Sequence, residues 1–178
     1  MYHEILEFWF EELDQSQWWV QDDEVDKSIT ERFSEIHHKA RQCEFFEWRG
    51  QARGRLAEII VLDQFSRNMF RGSAMSFACD SMALALSQEA ISVEADEELK
   101  SIECSFLYMP FMHSESLKIH EIALGLYEKN GIRNNYDFEV KHKLIIEQFG
   151  RYPHRNKLLG RVSTDDEIEF LKQPGSSF

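Results

Sequence analysis

The sequence predicts an all-α protein built from antiparallel helix pairs. Three observations carry this reading. Apolar residues recur at three- and four-residue spacing along nearly the whole chain. No run of alternating Val, Ile or Thr stands between turn dipeptides, so strand signals are scarce. The stretches between periodic segments are short, which makes consecutive helices antiparallel neighbours.

Leu6, Trp9, Phe10 and Leu13 fall on one face of a first helix. Val25, Ile29, Phe33, Ile36 and Ala40 form the stripe of a second. A third runs from about Arg53 to about Phe65. Ile59, Ile60, Val61, Leu62 and Phe65 leave it almost no solvent face, which predicts a central position. "DSMALALSQEAI" is a fourth helix, with Asp80 or Ser81 placed to cap it. "EELKSIECSFLYM" is a fifth, ending before Pro110. "SESLKIHEIALGLYEKNG" is a sixth, with Ser114 near its start and Gly131 just past its end. "NYDFEVKHKLIIEQFG" is a seventh, stopped by Gly150 and Pro153. "TDDEIEFL" is a short final helix opened by the capping box of Thr164 and Glu167. No linker rich in Pro, Gly or Ser divides the chain and no fixed repeat is legible, so residues 1–178 read as a single helical domain.

Composition narrows the function classes. With 178 residues, 43% of them hydrophobic, the chain can bury one sizeable core. Its 32 acidic against 20 basic residues give a net charge of −12. Phosphate backbones and anionic lipids want a basic face, so neither nucleic acid nor a membrane is an expected partner. A local arginine cluster can still bind an anion within such a chain. Cys43, Cys79 and Cys104 are odd in number and form no C-x-x-C pair. They read as small buried thiols in a reducing cytosol rather than as disulfides or zinc ligands. "MYHEILEFWFEEL" carries acids where a secretion signal needs a basic flank, and the apolar "FLYMPFM" is far too short to span a bilayer. The expectation is a cytoplasmic protein.

Three polar clusters interrupt the helical pattern. Asp63 and Arg67 lie four residues apart on the apolar third helix, with Asn68 and Arg71 close behind. Charged side chains on a central helix need partners, so Arg67 is expected to be mostly buried and bonded to Asp63 or another carboxylate. His113, Ser114 and Glu115 form the second cluster. They read either as a helix start, with Ser114 as cap and Glu115 on the helix dipole, or as a His–carboxylate pair that moves protons. Arg151, His154, Arg155 and Asn156 form the third, in "FGRYPHRN". Helix C-capping accounts for one or two of these donors but not four. The planar fork of arginine suits a carboxylate or phosphate. "FGRYPHRN" is therefore expected to fold back, with Arg151 or Arg155 on Asp63 or Glu115 and His154 near His113.

Other histidines read as structural. His142 shares a stripe with Phe138, Ile145 and Phe149, and His37 and His38 are expected in solvent. "HEIAL" at His120 resembles a zincin helix, but Leu124 stands where the second His is required. No Gly-rich phosphate loop, G-x-S-x-G or G-x-G-x-x-G occurs. Neither a metal nor a cofactor is expected.

"LDQFSRNMFRG", "FLYMPFMHSE" and "FGRYPHRNKLLGR", in that order, resemble the signature blocks of the bacterial family catalogued as domain of unknown function 924. "LEFWF" near the start and "PGSSF" at the end are similar to that family's beginning and ending. The resemblance implies a tetratricopeptide-like fold, a compact right-handed array of helix pairs with a concave side. It implies no activity. It marks Asp63, Gln64, Arg67, Asn68, Arg71, His113, Ser114, Glu115, Arg151, His154, Arg155 and Asn156 as signature polar positions. Ser66 stands where the family usually has proline, which leaves open whether the third helix runs on past Phe65. Tyr152 replaces the usual phenylalanine.

The favoured expectation is a cleft that binds a small anion or a carboxylate-bearing peptide end through Arg67, Asn68, Arg71, Arg151, Arg155 and Asn156. One alternative is a hydrolase or lyase in which His113 or His154 is the acid or base and Asp63 or Glu115 orients it. A metal version of this is weaker, because no ligand spacing is diagnostic. The other alternative is a purely structural network in a protein-interaction domain.

Overall fold

Helices make up most of the chain described by a computed structural model, residues 1–177, and no strand occurs among those residues. Phe178, the last residue of "PGSSF", lies outside them. Helix α1, Tyr2–Glu7, widens into a π turn at Phe8–Glu12. Its apolar residues Ile5, Leu6, Phe8 and Trp9 are buried.

Helix α2 spans Asp23–Arg41. It starts where the Asp22 carboxylate accepts the backbone N–H groups of Glu24 and Val25. Val25, Ile29, Phe33 and Ala40 are buried, as the stripe predicts. His37 departs from expectation. It lies four residues after Phe33 on the apolar face and is buried, because Ser66 Oγ lies 2.8 Å from its Nε2 and satisfies it. Burial pushes its pKa down to about 4. His38 is exposed.

Helix α3, Ala52–Ile60, passes through a second π turn at Val61–Phe65 directly into α4, Ser66–Met69. The third predicted helix thus does run on past Phe65. Ser66 fits there by donating its hydroxyl to the Leu62 carbonyl at 2.6 Å. Leu56, Ala57, Ile59 and Ile60 have no exposed surface, so α3 is as central as its sequence requires. Its principal helix neighbours are α1, α5 (Asp80–Ser92) and α6 (Ser101–Leu107).

Two capping expectations fail. Asp80 opens α5 without capping it, because its carboxylate faces two arginines. Helix α8, Leu117–Asn130, begins after Ser116, so Ser114 lies outside it and its hydroxyl accepts the Ser116 N–H, at 3.2 Å, instead of capping the helix. The fifth predicted helix does end before Pro110, as α6 at Leu107. The chain breaks at Tyr108 and restarts as α7, Met109–Met112, with Pro110 in the first turn, where a helix needs no N–H donor.

Gly131 ends α8 at φ +77°, and α9, Arg133–Phe149, packs back against α8. Helix α10, Asp165–Phe170, opens with the predicted capping box: Glu167 N–H donates to Thr164 Oγ1 and Thr164 N–H to Glu167 Oε2. The core joins Trp9, Phe33, Phe65 and Phe106, with Trp9 edge-on to Phe106 at 5.5 Å. Cys79 and Cys104 are buried, but Cys43 is exposed, in a left-handed turn at φ +58° just past α2. No helix among the described residues is long and apolar enough to cross a membrane.

Candidate functional site

A cleft of about 560 Å³ gathers residues from distant parts of the chain. Trp9 comes from the first π turn. Gln64 belongs to the second π turn, Arg67 and Asn68 to α4, and Arg71 and Gly72 to the turn just past it. Met109, Met112 and His113 come from α7 and its end, Asn135, Phe138 and His142 from α9, and His154, Arg155 and Leu158 from the segment after it. Pro153 starts the 3-10 turn Pro153–Arg155 that brings this last segment back.

The charged floor is built on two aspartates. Asp63, fully buried, accepts from His113 Nδ1 at 2.7 Å, from Gln64 Nε2 at 2.5 Å, and from Arg67 at 3.1 Å. Burial pushes its carboxyl up, but Arg67 and His113 outweigh this and hold it well below the usual carboxylate range. Asp80 accepts both terminal nitrogens of Arg67, at 3.0 and 3.1 Å, and one from Arg155 at 3.1 Å. Arg67 is thus mostly buried, 19% exposed, and carboxylate-paired, as expected.

Three histidines line the same cleft and all titrate low. Burial, and then Arg67, lowers His113, although Asp63 opposes the shift. Burial pushes His154 down to about 4 and His142 to about 3, so all three are neutral near neutral pH. Burial and then Arg67 also lower the Arg155 pKa. The Arg155 guanidinium carbon lies 4.6 Å from the ring centres of both Phe77 and Tyr152.

Arg67, Asn68, Arg71, His113, His154 and Arg155 line the cleft together, with Asp63 bonded directly to His113 and Arg67. The expected fold-back exists at the backbone, where Tyr152 N–H donates to Glu115 Oε1 at 2.8 Å. The expected arginine contacts do not form. Glu115 takes both terminal nitrogens of Arg161 instead, at 2.7 and 2.9 Å. Arg151 turns to Glu167, at 2.6 and 2.8 Å, because the capping box of α10 fixes that carboxylate beside it. Arg155 turns to Asp80. Asn156 donates to Ser163 Oγ at 3.1 Å. Glu115, Arg151 and Asn156 therefore stand outside the cleft as structural ties. Asn68 and Arg71 line it but spend donors on Asp26 of α2.

Sequence reasoning missed Asp80, Asp26 and Arg161. A carboxylate in a helix's first turn reads as a cap, and Arg161 lay inside a signature block without a visible partner. It also read His120 only as a failed metal motif. His120 is fully buried, with its Nδ1 2.6 Å from Glu139 Oε1 and its Nε2 2.8 Å from the Ser114 carbonyl, which ties α8 to α9. Among the described residues, no group of three or more His, Cys, Asp or Glu could hold a metal ion.

No curated protein sequence matches the chain. A solved structure of a protein of unknown function from Agrobacterium tumefaciens is 33% identical, covers 96% of each chain and superposes with a TM-score of 0.92. Residues 5–175 match the family model described as "Bacterial protein of unknown function (DUF924)". The chain belongs to this DUF924 family of bacterial proteins of unknown function.

Proposed function

We propose that the cleft binds a small ligand through one carboxylate held by Arg155. The observation that carries this reading is the state of that side chain. Arg155 is 4% exposed, yet among the described residues its side chain bonds only to Asp80, which also serves Arg67, and its Nε has no partner. Burying an arginine with donors unspent is costly, and an incoming carboxylate offsets that cost through a charge-assisted bond. Phe77 and Tyr152 already fix the guanidinium, so little ordering is lost on binding. A single negative charge fits better than two. Arg67 and Arg155 balance Asp63 and Asp80, and the neutral histidines supply no further cation.

Calorimetric titration with monocarboxylates and their uncharged amides tests the reading. Acids should bind and amides should not. Arg155→Gln should weaken binding by about 1.5–3 kcal/mol, the worth of a hydrogen bond to a charged group. Arg155→Lys should fail to restore it, since lysine lacks the fork. Absence of binding by any carboxylate overturns the reading.

The 2.7 Å bond between His113 and Asp63 favours a second reading, an acid–base site. Asp63 accepts the hydrogen bond of Nδ1–H, which leaves Nε2 as the proton-accepting atom of a neutral ring. A hydrolase or lyase would use it on a substrate anchored at Arg155. A substrate screen tests this, and activity that survives both His113→Ala and His154→Ala removes it.

A further inference from the structure

Resting on the Arg155 reading, we infer that the ligand is a peptide end or N-acyl amino acid, a carboxylate with amide carbonyls close behind it. Two more unpartnered buried N–H groups, on residues that line the same cleft, carry this. Trp9 Nε1 and Asn135 Nδ2 have no hydrogen-bond partner among the described residues, although the two side chains' residues are only 2% and 7% exposed. They come from opposite ends of the chain, the π turn after α1 and the first turn of α9. Buried polar groups in native proteins are nearly always bonded, so unspent donors from separate elements lining one cleft point to what that cleft receives.

All of these atoms, Arg155 Nε included, are donors, and the Trp9 indole can do nothing else. Their complement is a ligand rich in acceptors. A hydrocarbon acid does not supply it, because its two oxygens are spent at Arg155. A polyphosphate supplies acceptors but brings charge that the balanced arginine–aspartate floor does not match. Amide carbonyls are neutral acceptors, and a peptide end carries one at each residue behind its carboxylate. Trp19, Val20 and Phe138 line the cleft and are largely exposed, an apolar wall for the ligand's side chains. The volume lies within the range of small-molecule sites.

Calorimetry on the full chain with N-acetyl-dileucine, its C-terminal amide, and decanoate tests the inference. N-acetyl-dileucine should bind at least about tenfold tighter than decanoate, the gain expected of two ordinary hydrogen bonds to buried donors. Its C-terminal amide should lose most of that affinity. Trp9→Phe, which keeps an aromatic side chain but loses the pyrrole half of the indole with its N–H, should weaken the peptide severalfold more than it weakens decanoate. Equal affinity of the two acids for the unaltered protein overturns this inference and leaves the Arg155 reading standing. Failure of both acids to bind overturns both. Because decanoate is itself the ligand without the extra acceptors, the comparison decides the matter even if Trp9→Phe does not fold.

Discussion

Asp80 shows how much one residue's role depends on partners far away in sequence. In the sequence it opens a helix and reads as a cap; in the fold it bridges Arg67 and Arg155, the latter 75 positions away. That Arg67 needs a carboxylate was legible, because a cation on an otherwise apolar helix cannot be left bare. Which second carboxylate it meets was not, since Asp80 reaches it only by tertiary packing. The same holds for His113, expected beside a carboxylate and found on Asp63, 50 positions away, rather than on its neighbour Glu115. Removing Arg67 leaves the Asp63 carboxylate with only the neutral donors His113 and Gln64 and almost no exposed surface to recover water. Arg67→Ala should therefore cost roughly 3–5 kcal/mol of stability, measured by urea unfolding. A loss below about 1 kcal/mol would mean that the pair behaves as an exposed one and that α3 does not bury it.

The helices were legible as elements, and their irregularities were not. Apolar periodicity located α2, α8 and α9, and glycine marked the ends of the last two. The two π turns left no signal, because Phe8–Glu12 and Val61–Phe65 lie in patterns that a regular helix also satisfies. Both matter to the site: one presents Trp9 and the other carries Asp63. Gly54, at the start of α3, shows a different constraint. A Cβ there would lie 2.1 Å from the backbone carbonyl oxygen of Trp48. Alanine gains about 1 kcal/mol in helix propensity, but the clash is with backbone that must shift, and overpacking costs about 1–3 kcal/mol. Gly54→Ala should therefore lower the urea midpoint. A raised midpoint would mean that the 3-10 segment Phe46–Gly50 moves aside freely.

At the scale of the whole molecule, composition anticipated a helical chain with one large core, and that core contains α3 as expected. It did not anticipate a smaller satellite cluster of Ile145, Ile146 and Tyr152, formed where the chain returns after α9. Nor could it show that four buried or half-buried histidines would be neutral: His37 and His154 are pushed down to about 4, His142 to about 3, and His113 below its ordinary value. In the unfolded chain each binds a proton below about 6.5, while the folded protein leaves His37 and His154 unprotonated until near 4 and His142 until near 3, with His113 shifted in the same direction. The unfolded state thus binds more protons in this window, so stability is complete above about 6.5 and falls as pH drops towards 4. Each histidine contributes up to about 1.4 kcal/mol per pH unit. Urea unfolding at pH 7 and pH 5 should show a clear loss at the lower value, and equal stabilities would contradict the burial of these rings. Ligand binding in this neutral-histidine cleft turns on one atom, Arg155 Nε, and nitrogen–proton NMR of the arginine side chains reads it directly. Adding N-acetyl-dileucine should shift the Arg155 Nε–H resonance strongly downfield as the carboxylate bonds to it, while Arg151, whose Nε is already held by Glu167, stays in place. An Arg155 resonance that does not move while the ligand binds would mean that the carboxylate is held elsewhere.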